Sequence, residues 1–129
     1  MPVRSLHSSI LRWPDPETVE TALRLWVERA ARQRDNLLLA GYFGSYARGD
    51  ASVGSDLDII LVVEDSDTPF VRRAAGWDTT TLPVPVDLVV YTRREWSSLN
   101  RRGRFCRTVQ REGRWHHVAA GAESLVPRR

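Results

Sequence analysis

The sequence predicts an α/β (α+β) fold, a mixed central sheet flanked by helices. Helical and strand-like patterns alternate from residue 15 to residue 118, which is the order that packs helices onto a sheet. The segment Asp56 to Val63 is apolar on both faces beyond its aspartates, with Leu57, Ile59 and Leu61 on one side and Ile60 and Val62 on the other. A strand buried on both faces is central and covered by helices. The chain has 129 residues, 42% of them hydrophobic and 27% charged, enough for one domain with a core that needs no staples.

Residues 1–14 carry no clear period and read as an extended lead-in. Asp15-Pro16-Glu17 is a helix start, with an N-cap acid, a proline at the first position and an acid in the first turn. Val19, Ala22, Leu23, Trp26, Val27 and Ala30 then form one stripe to about Arg34, and Glu20–Arg24 and Glu28–Arg32 stand four apart on the outer side. Leu37 to Phe43 reads as a buried first strand and Ser45 to Asp50 as a short helix. Asp50 to Ser55 is a turn in which Gly54 is free to take positive φ. The second strand, Asp56 to Val63, ends in the solvated acidic turn Glu64-Asp65-Ser66-Asp67.

Pro69 to Trp77 is expected to be a helix with Phe70, Val71, Ala74 and Ala75 inward. Pro83 to Tyr91 is the third strand, its prolines at the start where a strand tolerates them. Thr92-Arg93-Arg94-Glu95 is a capping box. A helix follows with Trp96 and Leu99 inward, Gly103 interrupts it, and Arg104 to Glu112 resumes up to Gly113. Arg114 to Val118 reads as a short last strand. The domain organisation is therefore a lead-in over 1–14, one domain over 15–118 and a flexible tail over 119–129.

The single cysteine, Cys106, leaves no intramolecular disulfide and no cysteine-based zinc site, and a reducing, cytoplasmic setting is the plain expectation. On its apolar helix face Cys106 reads as a small hydrophobe. No apolar run approaches a membrane span and no signal peptide is apparent, so no membrane partner is expected. All 19 basic residues are Arg. Residues 1–92 hold nine Arg against thirteen acids, whereas residues 93–129 hold ten Arg against three. That asymmetry suits an acidic partner, a nucleic acid or a polyphosphate, and equally a solvated basic face. His116 and His117 are adjacent, so on a strand they point to opposite faces and do not share an ion.

The chemistry concentrates between Gly41 and Val63. Gly44 and Ser45 precede a short helix, where a glycine lets backbone approach a ligand and amides and a hydroxyl offer a phosphate grip. Ten residues separate them from Asp56-Leu57-Asp58, whose carboxylates share a strand face and repel unless a cation lies between them. Hard divalent ions such as Mg²⁺ take carboxylate oxygens together with substrate phosphates. Asp87 is a lone acid inside the apolar third strand, where an unpaired carboxylate needs a partner. If strands two and three pair, it converges with Asp56 and Asp58.

The motif Gly44-Ser45-x-Ala47-Arg48-Gly49, followed by Ser55-Asp56-x-Asp58, resembles the signature of the polymerase-β-like nucleotidyltransferase superfamily, and in its fuller form the minimal nucleotidyltransferase branch. The resemblance covers most of residues 15–118. It implies attack of a hydroxyl on the α-phosphorus of a nucleoside triphosphate, with pyrophosphate leaving. Two Mg²⁺ ions would be held by Asp56, Asp58 and Asp87, with Asp87 as general base. Gly44 and Ser45 would bind the β- and γ-phosphates, with Arg48 adding positive charge. Many members of that branch look like antitoxins that adenylylate a HEPN-domain toxin from ATP, so ATP is the implied donor and such a toxin the implied partner. RNA or a small molecule is the alternative acceptor, and a nucleotide-binding module without turnover the alternative class.

Overall fold

The computed structural model describes residues 13–128. Helix α1 spans Pro16–Gln33, capped by Asp15, whose carboxylate accepts the Thr18 amide at 2.8 Å. That bond holds the Asp15 carboxyl below its usual range. The helix buries Val19, Leu23, Trp26, Val27 and Ala30, the stripe its sequence carries. Outside, the pairing differs from the expected one: Arg24 turns forward to Glu28 at 3.5 Å rather than back to Glu20.

Four strands follow, β1 Leu37–Phe43, β2 Leu57–Val63, β3 Val86–Thr92 and β4 Arg114–Val118. They form one mixed sheet in the order β3-β2-β1-β4. β1 runs antiparallel to β2 and to β4, and each of these pairings carries a register irregularity. β2 and β3 run parallel with an unbroken register from Leu57 opposite Val86 to Val63 opposite Thr92. Helix α2, Ser45–Arg48, is a single turn between β1 and β2. Gly54, in the loop that follows, takes φ +90°.

The sheet divides two cores. Leu57, Ile59, Leu61 and Val63 of β2 pack with α1, Tyr42, Tyr46 and Trp77 on one face. Ile60 and Val62 pack on the other with Leu39, Val109, Phe105, Trp96 and Tyr91. That second face is covered by α4, Arg93–Ser98, and α5, Arg104–Glu112. The capping box opens α4 as expected, with Thr92 and Glu95 exchanging side-chain-to-backbone bonds.

The crossover between β2 and β3 differs most from the sequence reading. In place of one helix from Pro69 to Trp77 there is a turn of α-helix, α3 Phe70–Arg73, continued by 3₁₀ geometry over Ala74–Gly76. Phe70 and Val71 are exposed, and the inward residue is Arg73, which is 8% exposed. Its guanidinium makes a fork-on-fork pair with Glu95 (2.5 and 3.1 Å) and donates to the carbonyls of Thr68 and Val90. These bonds satisfy the charge that apolar periodicity sends outward. The third strand begins at Val86 rather than Pro83, since Pro83 and Pro85 have no amide to offer a ladder; the Pro85 carbonyl still accepts from Leu57.

The stretch read as a loose tail packs against the second core instead. Ala122 is fully buried, Leu125 and Val126 join the cluster, and the Trp96 indole donates to the Leu125 carbonyl at 2.8 Å. Small residues interrupted by glycine hide this in the sequence, because one buried alanine has no period. Of the lead-in, residues 1–12 lie outside the described residues; the Trp13 indole donates to the Tyr46 hydroxyl at 3.2 Å. Among the described residues no helix is long and apolar enough to cross a membrane.

Candidate active site

The parallel register brings the aspartates together. Asp58 and Asp87 are paired positions on β2 and β3, and both lie on the face of Ile60, Val62, Val89 and Tyr91, because side chains alternate along a strand. Asp56 sits one residue before β2 and is exposed, as is Asp87. Asp58 is half-buried between them. Its carboxyl is pushed above the usual range, first by burial, then by the charges of Asp87 and Asp56, with Arg48 opposing and Glu112 adding to the rise. Asp58 therefore senses the charges of both other acids. Asp87 has no ion pair among the described residues, so the pairing with a buried Arg that would make it a structural acid is not present.

Gly44 explains the turn that leads into α2. Its φ is +82°, in the left-handed region, and an added Cβ would overlap an oxygen of the Asp58 carboxylate. Only glycine lets this backbone lie against the acid. Ser45 follows as the first residue of α2, and its carbonyl accepts the amides of Gly49 and Asp50. Arg48 closes the turn with its charge already engaged: it bonds Asp50 and Glu112, each at 3.1 Å.

Glu112 is the site residue that motif reading misses. It is the last residue of α5, its side chain only 10% exposed. One carboxylate oxygen accepts both the Gly44 amide at 3.2 Å and Arg48 Nη1 at 3.1 Å, and Arg111 stands 3.6 Å from the other oxygen. A signal was present: Glu112 is the sole acid between Glu95 and Glu123, in a stretch rich in Arg. Long range in sequence hides its target, 68 residues away.

Three carboxylates on adjacent strands, with Asp58 pushed up by burial and then by the charges of its neighbours, are a hard-oxygen donor set that suits a divalent cation. They are not a closed cage as they stand; among the described residues no three carboxylate, imidazole or thiol groups are gathered closely enough to hold an ion. The two histidines are separated as expected. His116 stacks on Tyr42 at 5.4 Å between ring centres, and His117 Nε2 lies 3.2 Å from the Leu37 carbonyl. Burial holds the His116 imidazolium below its ordinary range and pushes the Tyr42 phenol up to about 12. The Arg-rich α5 adjoins the carboxylates through Glu112, and Arg101, Arg102, Arg104 and Arg107 are exposed without an ion pair among the described residues.

Comparison with known proteins agrees with this fold. The nucleotidyltransferase domain family matches residues 25–116. No curated protein matches the sequence. Among solved structures, the chain is similar to a presumed nucleotidyltransferase from Sulfolobus solfataricus, at 20% identity over 94% of each chain with a TM-score of 0.59. It is also similar to a toxin-antitoxin structure with AMP-PNP, at 22% identity over 80% of each chain with a TM-score of 0.53. A mutant of the toxin-antitoxin MntA-HpeT is similar at 19% identity over 88% of this chain and 81% of that one, with a TM-score of 0.50. At such identities the structures speak for the fold, and the family match spans most of the chain: the protein belongs to the nucleotidyltransferase domain family.

Proposed function

We propose that the protein transfers AMP from ATP to a hydroxyl on a HEPN-type toxin and acts as its antitoxin. The observation that carries the reading is the facing of Asp58 and Asp87 across a parallel strand pair, with Asp56 beside them and the Gly44 backbone against Asp58. The toxin partner is supported by the likeness to toxin-antitoxin structures. The exposed arginines of α5 and the loop before it offer an acidic protein a steering face on the helix that carries Glu112.

Asp56, Asp58 and Asp87 would hold Mg²⁺, which when bound neutralises charge on the attacking and leaving oxygens. The chain's own residues orient the reaction. Gly44 and Ser45 grip the β- and γ-phosphates, Arg48 adds charge beside them, and Asp87 takes the proton of the acceptor hydroxyl. The acceptor oxygen bonds to the α-phosphorus as the bond to pyrophosphate breaks. The assay combines the protein with labelled ATP, Mg²⁺, the candidate toxin and total RNA. An AMP-sized mass increase on the toxin, on a tyrosine hydroxyl for preference, is the expected result. Label on RNA 3′ ends with an unmodified toxin would overturn the assignment of acceptor, and nucleotide binding with no acceptor labelled would favour a regulatory module.

Binding is expected to need both grips. Calorimetry of ATP should lose most of its affinity when Mg²⁺ is replaced by EDTA. Gly44→Val should reduce affinity by roughly tenfold or more, since a side chain there displaces Asp58 and forces a strained φ. Equal affinity in EDTA, or wild-type affinity in the variant, would remove the metal grip or the phosphate grip respectively.

A further inference from the structure

We propose that Glu112 is a built-in competitor for the phosphate grip, an internal carboxylate that nucleotide must displace from Gly44 and Arg48. The inference rests on the nucleotide-binding reading above. In the structure the grip is not open: the Gly44 amide and an arm of Arg48 already converge on a single oxygen of Glu112, at 3.2 and 3.1 Å. A carboxylate and a phosphate oxygen ask the same of those donors, a charge-assisted hydrogen bond from an amide and another from a guanidinium. The two anions are alternatives at this place, because the Gly44 amide has one hydrogen to donate.

The surroundings make the competition consequential. Glu112 is nearly buried, on the last turn of a helix whose Val109 is anchored in the core. Its charge is therefore presented at a fixed place, and the same charge adds to the repulsion on Asp58. A triphosphate entering the site brings further negative charge against four carboxylates. Swinging Glu112 away frees the amide, removes a repelling charge and releases Arg48, which keeps only Asp50. Arg111, 3.6 Å from the outer oxygen, is an exposed alternative partner for the displaced carboxylate.

The test compares wild type with Glu112→Gln and Glu112→Ala by calorimetry, using ATP with Mg²⁺ and inorganic pyrophosphate as separate probes. The Gly44 amide is followed in parallel by NMR. Both variants should bind the probes more tightly, by roughly three- to tenfold. The Gly44 amide signal should shift in the free variants, and the bound signals of all three proteins should fall close together. Damage to the fold would weaken binding, so a gain in affinity separates competition from a structural role. Unchanged or weaker binding in Glu112→Gln, with wild type still binding, overturns the inference and leaves the nucleotide reading standing. If neither wild type nor either variant binds ATP or pyrophosphate, both fall together. Binding by the variants alone would be the strongest form of the expected result.

Discussion

Asp58→Asn is expected to reduce nucleotidyl transfer by roughly 100- to 1,000-fold or more, with a melting temperature equal to or above that of the wild type. Both halves follow from the position of Asp58. It faces Asp87 across the parallel ladder and lies against the Gly44 backbone, so a neutral amide weakens the cation grip at its centre. Without a cation the same carboxylate is a liability to the fold: burial and the charges of Asp87 and Asp56 raise its pKa. A raised carboxyl pKa means that the folded state takes up a proton more readily than the unfolded chain, so stability drains away as pH rises through that pKa. The advantage of the Asn variant should accordingly vanish in acid, where Asp58 is protonated, and grow as pH rises toward neutrality. Melting curves in EDTA across that range check it. A variant melting well below wild type would make the carboxylate structural.

Glu95→Ala is expected to cost more stability than Arg73→Ala, about 3–5 kcal/mol against about 2–3 kcal/mol. The pair is asymmetric. Arg73 is 8% exposed, whereas the Glu95 side chain is 39% exposed, so removing the glutamate strands a buried cation while removing the arginine leaves an anion that water reaches. Glu95 also receives the Thr92 amide in the capping box, and loss of a cap adds about 1 kcal/mol. Urea denaturation of the two variants gives the order directly. The bonds to Arg73 and Thr92 hold the Glu95 carboxyl below its usual range. Their stabilisation is therefore complete above the unfolded value and is lost as pH falls through the lowered folded one. Glu95→Gln should remove that acid-side dependence. Equal losses in the two alanine variants would mean that Arg73 is hydrated.

What was legible in the sequence was what short-range pattern encodes. The strand core of β2, the cap of α1, the capping box of α4 and the aspartate motif are each written within a few neighbouring residues, and the structure contains them. The mixed sheet followed because two-sided apolar strands leave few other arrangements. The parts that stayed hidden depend on contacts made far along the chain. Arg73 looks solvent-facing until Glu95 and two carbonyls are brought to it. Ala122 looks like loop until Trp96 reaches over it to Leu125. Glu112 looks like one acid on a basic helix until β1 delivers the Gly44 amide beneath it. Burial of a polar group is decided by its partner, and a partner dozens of residues away leaves no local trace.

The unbroken register of β2 against β3 divides the chain into parts where length is counted and parts where it is free. Both antiparallel pairings of β1 absorb an irregularity, so the pairings of β1 with its two neighbours tolerate an added or lost residue. The parallel pair does not: one residue gained within β3 before Asp87 would turn that carboxylate to the opposite face, whereas two would keep it on the right face and merely slide it along. The loops on either side of the Phe70–Gly76 crossover are under no such arithmetic, since lengthening a surface loop costs little. Descendants of this chain are thus free to vary in size between the second and third strands, provided that the count within each strand keeps its parity.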